Sequence, residues 1–229
     1  MPVPSPLTFE LFDFLSDLQR NNRREWFAEQ KQRYIEEVLN PSVELCSRLQ
    51  EPLRKVSSQL RVKPAAHRGS VMRIYRDTRF TRDKSPFKTN VGISIRHLAA
   101  DDIHAPGLYL HLEPRNCFIG CGCWKPDRIS LSMIRDSIVN RSTAWKRTVN
   151  EIQKKTDYIL SGEKLKRGPR DLPKDHPLIE DLKRTDFILI ENIPEQALVD
   201  SDPVPFLIDR FTAARPWMRF LCQAMHLKY

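Results

Sequence analysis

The residues best suited to chemistry are concentrated in one segment, RIYRDTRFTRDKSPFKTN, which runs from Arg73 to Asn90. Six basic side chains alternate there with two carboxylates and three aromatic rings. Because guanidinium groups make planar, bidentate contacts with phosphate and carboxylate, several of them converging from one segment would hold a multiply charged anion. We therefore predict a pocket for a small molecule that carries phosphate or carboxylate. The predicted anion-binding residues are Arg73, Tyr75, Arg76, Asp77, Arg79, Asp83, Lys84, Lys88 and Arg96.

Two other interpretations of this segment stay open. Asp77 and Asp83 can pair with neighbouring arginines, which would make the segment an ion-paired scaffold that binds nothing. A basic face with aromatic neighbours is also typical of proteins that bind nucleic acid, although no helix-in-groove or RNP-type pattern is present. The alternative to an anion pocket is therefore a nucleic-acid or protein interaction module that uses the basic face of residues 54–96.

The charge of the chain is localised. The net charge of the protein is +9. Residues 54–96 contain twelve basic and two acidic side chains, so the net charge of this block exceeds that of the whole protein. A second basic stretch, residues 141–170, is more typical of a solvated helix surface. Since 40% of the residues are hydrophobic, disorder is excluded, and charge concentrated in one block indicates a site for an anionic partner.

His111 and Glu113 are the candidate catalytic residues, because alternation along a strand places both on one face. No P-loop, dinucleotide fingerprint, nucleophile elbow or HExxH motif accompanies them, so the sequence leaves open whether the protein is an enzyme. Cys117, Cys121 and Cys123 lack the spacing of a zinc site and alternate away from His111, so we predict no metal site. The sequence identifies no cofactor.

Hydrophobic periodicity predicts an α+β fold, with an antiparallel sheet of four to five strands packed by N-terminal and C-terminal helices. Apolar spacings of three and four predict helices over residues 1–62. Period-two alternation then predicts a sheet within residues 70–125, and helices with one short strand, beginning at Phe187, follow over residues 127–229. No linker is evident, so a single domain over residues 1–229 is expected. The predicted strands are Met72–Tyr75, Val91–Arg96, Leu108–Glu113, Cys117–Trp124 and Phe187–Ile190.

The predicted sheet has two unequal faces. If the aliphatic residues of each strand face the helices, the opposite face carries a mixture of aromatic, polar and glycine residues. Glycine inside a strand marks a close approach of another group to the backbone, so this face is either a binding surface or is covered by another layer of chain. The residues on this face are Arg73, Tyr75, Ser94, Arg96, Tyr109, His111, Glu113, Phe118, Gly120 and Gly122.

The chain has no segment that is long and apolar enough to cross a bilayer and no basic stretch typical of a secretory signal at its start, so we expect no membrane partner. Five cysteines, three of them within seven residues, do not form the pattern of a secreted disulfide framework. These features predict a cytoplasmic protein with reduced thiols. The oligomeric state is not evident from the sequence.

Three motifs resemble a widespread family of conserved hypothetical proteins of unknown function. The first is FLxxLxxNNxxxWF, which includes Asn21, Asn22 and Trp26; the second is the segment from Arg73 to Asn90; the third is LYLHLEP with Gly-Cys-Gly before Trp124. The resemblance spans nearly the whole chain and implies that these segments belong to one domain, but no established activity comes with it. The cysteine-rich GCGCW replaces a more glycine-rich run, which argues against a family role for its cysteines.

Overall fold

A computed structural model describes residues 3–99, 104–169, 173 and 175–229 of the protein. Its first quarter is helical, because apolar residues recur there at spacings of three and four and form one buried stripe on each long helix. A π-helical turn, Ile35–Leu39, precedes the last of these helices, whose first turn accommodates Pro41. The helices are α1 (Phe9–Arg20), α2 (Arg24–Glu29), α3 (Lys31–Tyr34) and α4 (Asn40–Val56).

The middle and C-terminal parts of the chain form a six-stranded sheet in which every neighbouring pair is antiparallel. The α+β class and the antiparallel sheet flanked by helices are thus confirmed. The strand order is β1-β2-β3-β4-β6-β5. The strands are β1 (Leu60–Arg61), β2 (Val91–His97), β3 (Gly107–Leu112), β4 (Cys117–Cys123), β5 (Ile159–Ser161) and β6 (Phe187–Ile193).

The strands differ from the sequence prediction at both edges of the sheet. β1 lies inside the segment predicted as helical, and β5 is a second strand in the C-terminal part; both are too short to show a periodic pattern. The strand predicted over Met72–Tyr75 is wrong. Val71 bridges to Ile93 on β2, but the chain then leaves the sheet, and Tyr75 bridges instead to Phe87.

The C-terminal helices cover one face of the sheet. Asp127 caps α5, because its side chain accepts a hydrogen bond of 2.6 Å from the Ser130 amide. The last helix packs against β4, α5 and α6, and places Trp217 beside Trp145, with 5.3 Å between the ring centroids. These helices are α5 (Arg128–Asn140), α6 (Ser142–Lys155), α7 (Ile179–Leu182), α8 (Gln196–Val199), α9 (Val204–Ala213) and α10 (Arg215–Ala224).

Burial alternates along the central strands, as the period-two pattern predicts. On β3 and β4 every second residue is buried against the helices, and the residues between them are partly exposed. The partly exposed face, which we call the outer face, carries Tyr109, His111, Phe118, Gly120 and Gly122. This parity matches the one expected from the sequence.

All five cysteines are free and buried. Cys117, Cys121 and Cys123 face the helices from β4, Cys46 lies on α4 and Cys222 lies on α10. Burial raises the pKa of Cys46, Cys121 and Cys222 to about 12, so these thiols stay protonated at neutral pH. Among the described residues, no helix combines the length and the apolar composition needed to cross a bilayer.

Candidate anion-binding site

The outer face holds a chain of three polar side chains, two on β3 and one on the residue that directly follows it. The Tyr109 hydroxyl lies 3.0 Å from Nδ1 of His111, and Nε2 of His111 lies 3.3 Å from a carboxylate oxygen of Glu113. A neutral imidazole with its hydrogen on Nε2 satisfies both contacts, since Nδ1 then accepts from the hydroxyl and Nε2–H donates to the carboxylate. The two candidate catalytic residues are therefore in direct contact. Tyr109, which the sequence placed on the same face without a role, is a third member of the chain.

The surroundings hold this chain in position. The His111 ring stacks on Phe118, with 4.4 Å between centroids and 11° between planes. Glu113 accepts hydrogen bonds from Thr89 at 3.3 Å and from the Asn116 amide at 2.6 Å. Burial, together with the charge of Glu113, raises the pKa of Tyr109 to about 12. Tyr109 is consequently a proton donor at neutral pH, and the chain has the geometry for acid–base chemistry.

A surface cavity of about 310 Å³ lies next to this chain, at the β1 edge of the outer face. Four basic side chains line it, and among the described residues none of them makes an ion pair with a carboxylate. Among the residues that the structure describes, no acidic side chain lines the cavity, whereas Ser70 and Ser94 contribute hydroxyl groups. We call it the cationic cavity. Its lining residues are Arg61, Lys63, Arg68, Gly69, Ser70, Met72, Ser94 and Arg96.

A tight turn between β1 and β2 builds one wall of the cationic cavity. Arg68 has a positive φ of 54°, and the Ser70 hydroxyl accepts a hydrogen bond of 2.9 Å from the Lys63 amide. The Ser70 carbonyl in turn accepts from the Ser94 amide at 2.9 Å, which fastens the turn to β2. Lys63 and Arg68 are therefore brought beside Arg96, although they are distant from it in sequence.

The cationic cavity and the Tyr109–His111–Glu113 chain meet over Gly92. A Cβ at Gly92 would lie 2.6 Å from the Tyr109 hydroxyl and 3.0 Å from the sulfur of Met72, a cavity-lining residue. Ser94, on the cavity wall, pairs with Tyr109 across β2 and β3. The absence of a side chain at Gly92 thus lets the hydroxyl of Tyr109 reach toward the cavity.

The arginines predicted from the segment 73–90 do not converge on this cavity. Arg76 pairs with Asp83, and Arg79 pairs with Asp77 at 2.7 Å. Hydrogen bonds from Arg79 hold the pKa of Asp77 well below its usual range, and hydrogen bonds from Ser85 and Arg76 do the same for Asp83. Both carboxylates are ionised at neutral pH. This part of the segment has the geometry of the ion-paired scaffold that the sequence left open.

The remaining predicted residues fall into three places. Lys84 donates to the carbonyl of Thr78 at 2.8 Å, within the loop, and Tyr75 packs on Phe87 with 5.4 Å between ring centroids. Arg73 and Lys88 lie close together: burial lowers the pKa of Lys88, and the positive charge of Arg73 lowers it further. Arg96 is the one predicted anion-binding residue that lines the cationic cavity.

Sequence reasoning missed Arg61, Lys63 and Arg68, although all three belong to the basic block 54–96. They lie between the segment with helical periodicity and the segment with strand periodicity, where no periodic pattern predicts which way a side chain points. The available signal was the block itself: once Asp77 and Asp83 are assigned to nearby arginines, ten of its twelve basic residues remain without an acidic partner within the block, and Arg61, Lys63, Arg68 and Arg96 are among them.

The fold and the site define a class of protein: an α+β protein whose partly exposed sheet face joins a cation-lined cavity to a tyrosine–histidine–glutamate chain. Residues 10–220 match the DUF2461 family of conserved hypothetical proteins, and the chain belongs to that family. The family resemblance inferred from the three motifs is confirmed. No curated protein matches the chain.

Proposed function

We propose that the protein binds a small anionic molecule, carrying phosphate or carboxylate, in the cationic cavity. The observation that carries this proposal is the lining: four basic side chains and two hydroxyls surround one cavity, and the described part of the chain places no carboxylate among them. Like charges repel when they are gathered at one place, so an arrangement of this kind is stabilised when an anion enters. Free thiols in all five positions support a reducing compartment, and we place the function in the cytoplasm.

The cavity fits a small ligand better than a long polymer. Its volume lies at the lower end of the range for ligand-binding pockets, and its basic groups come from four separate positions around one space. Arginine forks on opposite walls can each donate two hydrogen bonds to one phosphate or carboxylate, and the serine hydroxyls can satisfy a remaining oxygen. We therefore favour a single bound anion over an extended basic surface.

Isothermal titration with inorganic pyrophosphate tests this proposal. We expect Arg68→Gln and Arg96→Gln each to weaken binding about tenfold, because each removes charge-assisted hydrogen bonds to the anion. Arg147→Gln is the matched control: Arg147 is exposed on α6, outside the cavity, and its loss changes the net charge equally. Arg79→Gln should also leave binding unchanged, because Arg79 is paired with Asp77.

Two results would contradict the cavity as the binding site. Equal weakening in Arg68→Gln, Arg96→Gln and Arg147→Gln would mean that pyrophosphate responds only to net charge. Loss of binding in Arg79→Gln alone would return the site to the loop of residues 76–85.

A second candidate function is acid–base catalysis on the bound anion, and the contact chain of Tyr109, His111 and Glu113 favours it. His111 can take a proton at Nδ1 while Glu113 stabilises the imidazolium that forms, and the Tyr109 hydroxyl, over Gly92, faces toward the cavity. Tyr109 and His111 lie on one strand and Glu113 directly follows it, which keeps these atoms aligned. The supported reaction class is hydrolysis of a phosphate ester.

Hydrolysis of a panel of phosphate monoesters tests the catalytic role. We expect Glu113→Gln to lower kcat about 100-fold, because the amide cannot stabilise a protonated His111. Glu151→Gln on α6 is the control, since Glu151 pairs only with Lys155 among the described residues. Absence of hydrolysis by the unmodified protein across the panel, or an equal kcat in Glu113→Gln, would refute this role.

A further inference from the structure

The outer face continues beyond the cationic cavity into a shallow apolar surface. Gly120 pairs with Tyr109 on one side and with Ile190 on the other, so it lies in the middle of the sheet. Of the residues that the structure describes, a Cβ at Gly120 would meet only Tyr109 within 4 Å, at 3.6 Å, and none of the others fills the space directly above it. We call this surface the Gly120 shelf, and its members are Tyr109, Phe118, Gly120 and Ile190.

The shelf is suited to a flat ring. Phe118 and Ile190 are both partly exposed, whereas the neighbouring Ile119 and Leu189 are buried against the helices. The ring of Phe118 lies 5.9 Å from that of Tyr109 and stacks on His111, so the aromatic groups form one continuous edge of the shelf. Aromatic and aliphatic side chains that flank an open backbone surface can stack a planar, hydrophobic group.

The shelf and the cationic cavity are close enough to hold two parts of one small molecule. Ser94 on the cavity wall pairs with Tyr109, and Tyr109 pairs with Gly120, so Gly120 lies two strand spacings, about 10 Å, from Ser94. A group of the size of one sugar can therefore span the distance between the cavity and the space above Gly120.

We propose that the ligand is a nucleoside monophosphate, with its phosphate in the cationic cavity, its base on the Gly120 shelf and its ribose between the two. This proposal rests on the proposed anion-binding function and specifies its ligand. The combination is chemically selective: the cavity recognises the charge, the shelf recognises a planar ring, and the spacing requires a linker of one sugar. A free phosphate or a sugar phosphate fills only part of it.

Affinities for AMP, ribose 5-phosphate and inorganic phosphate, measured by titration calorimetry, test the proposal. We expect AMP to bind about tenfold more tightly than ribose 5-phosphate, because stacking of the base contributes only in AMP. Gly120→Val should remove this advantage by covering the shelf, while the affinity for ribose 5-phosphate stays unchanged. Because a Cβ at Gly120 makes only ordinary contacts, the variant should fold; Phe118→Leu, which keeps an apolar side chain, gives a second variant of the shelf.

The outcomes separate this proposal from the one on which it depends. Equal affinities for AMP and ribose 5-phosphate in the unmodified protein, both weakened by Arg96→Gln, would overturn nucleotide recognition and leave anion binding intact. No effect of Arg96→Gln on any of the ligands would overturn the anion site itself. A single-stranded decanucleotide that binds more tightly than AMP would also overturn the proposal of a free nucleotide, and would assign the surface to a nucleic-acid strand.

Discussion

Gly122→Ala is expected to lower the free energy of unfolding by about 3 kcal/mol or more, because the substitution forces a side chain into a strained and occupied position. Gly122 has a φ of 132°, which residues with a Cβ rarely adopt. A Cβ built there would overlap the carbonyl oxygen of Phe187 and would lie 2.9 Å from the indole nitrogen of Trp217. Both residues are fully buried, so neither β6 nor α10 can move away without loss of packing.

Gly120→Ala is the matched control, two residues earlier on the same strand. Its Cβ would make ordinary contacts, so we expect its free energy of unfolding to stay within about 1 kcal/mol of the unmodified protein. Urea unfolding followed by circular dichroism measures both variants. Similar losses in the two would show that β4 tolerates a side chain at neither glycine, which would contradict the local explanation.

Asn22→Ala is expected to lower the free energy of unfolding by about 2 kcal/mol, because one side chain there satisfies two backbone groups. The Asn22 amide donates to the carbonyl of Phe87 at 3.0 Å, and its carbonyl oxygen accepts from the amide of Phe87 at 3.1 Å. Phe87 is buried and stacks on Phe27, with 4.2 Å between ring centroids. Asn22 therefore fastens the N-terminal helices to the segment that leads into β2.

Asn21→Ala provides the comparison for Asn22→Ala, since the Asn21 side chain bonds only to the nearby carbonyl of Asp17 among the described residues. We expect a loss of less than about 1 kcal/mol, because the hydrogen bond is local and partly exposed. Thermal and urea unfolding of the two variants give the difference. Equal losses would mean that the helix end, and not the contact with Phe87, stabilises the protein.

Two motifs that are distant in the sequence meet at the Asn22 contact. One motif contains Asn22 and Phe27, and the other contains Phe87; the structure joins them through a side-chain clamp and an aromatic stack. Thr89 reaches Glu113, which directly follows β3, and Asn90 reaches His111 on β3. A change at Asn22 should consequently disturb the polar chain of the outer face as well as the stability of the fold.

Much of the fold was predictable because its long elements repeat a local pattern. The alternation of Leu108, Leu110 and Leu112 sets the buried face of β3, and the same rule places Tyr109 and His111 on the outer face. Parity also placed Glu113 beside His111, where the structure shows a contact of 3.3 Å. Local periodicity thus gave the face of the sheet and the candidate catalytic pair.

The cationic cavity was not predictable in this way, because it depends on pairings distant in sequence. Arg61 reaches Arg96 through the short pairing of β1 with β2, and Arg68 reaches it through an irregular turn. The loop arginines show the reverse case. The density of basic residues in the sequence favoured Arg76 and Arg79 as anion-binding residues, yet each of them pairs with a nearby carboxylate. Composition locates charge, whereas only the fold shows which charges are compensated.

The five buried thiols give the protein a built-in set of reporters for local opening. Cys46 lies on α4, Cys121 on β4 and Cys222 on α10, so each is exposed to a thiol reagent only when its own element separates from the core. Alkylation rates at individual cysteines would then rank the stability of the N-terminal helices, the central strand and the last helix. Slower alkylation of all three on addition of a ligand would show that occupancy of the outer face is transmitted through the sheet to the helices behind it.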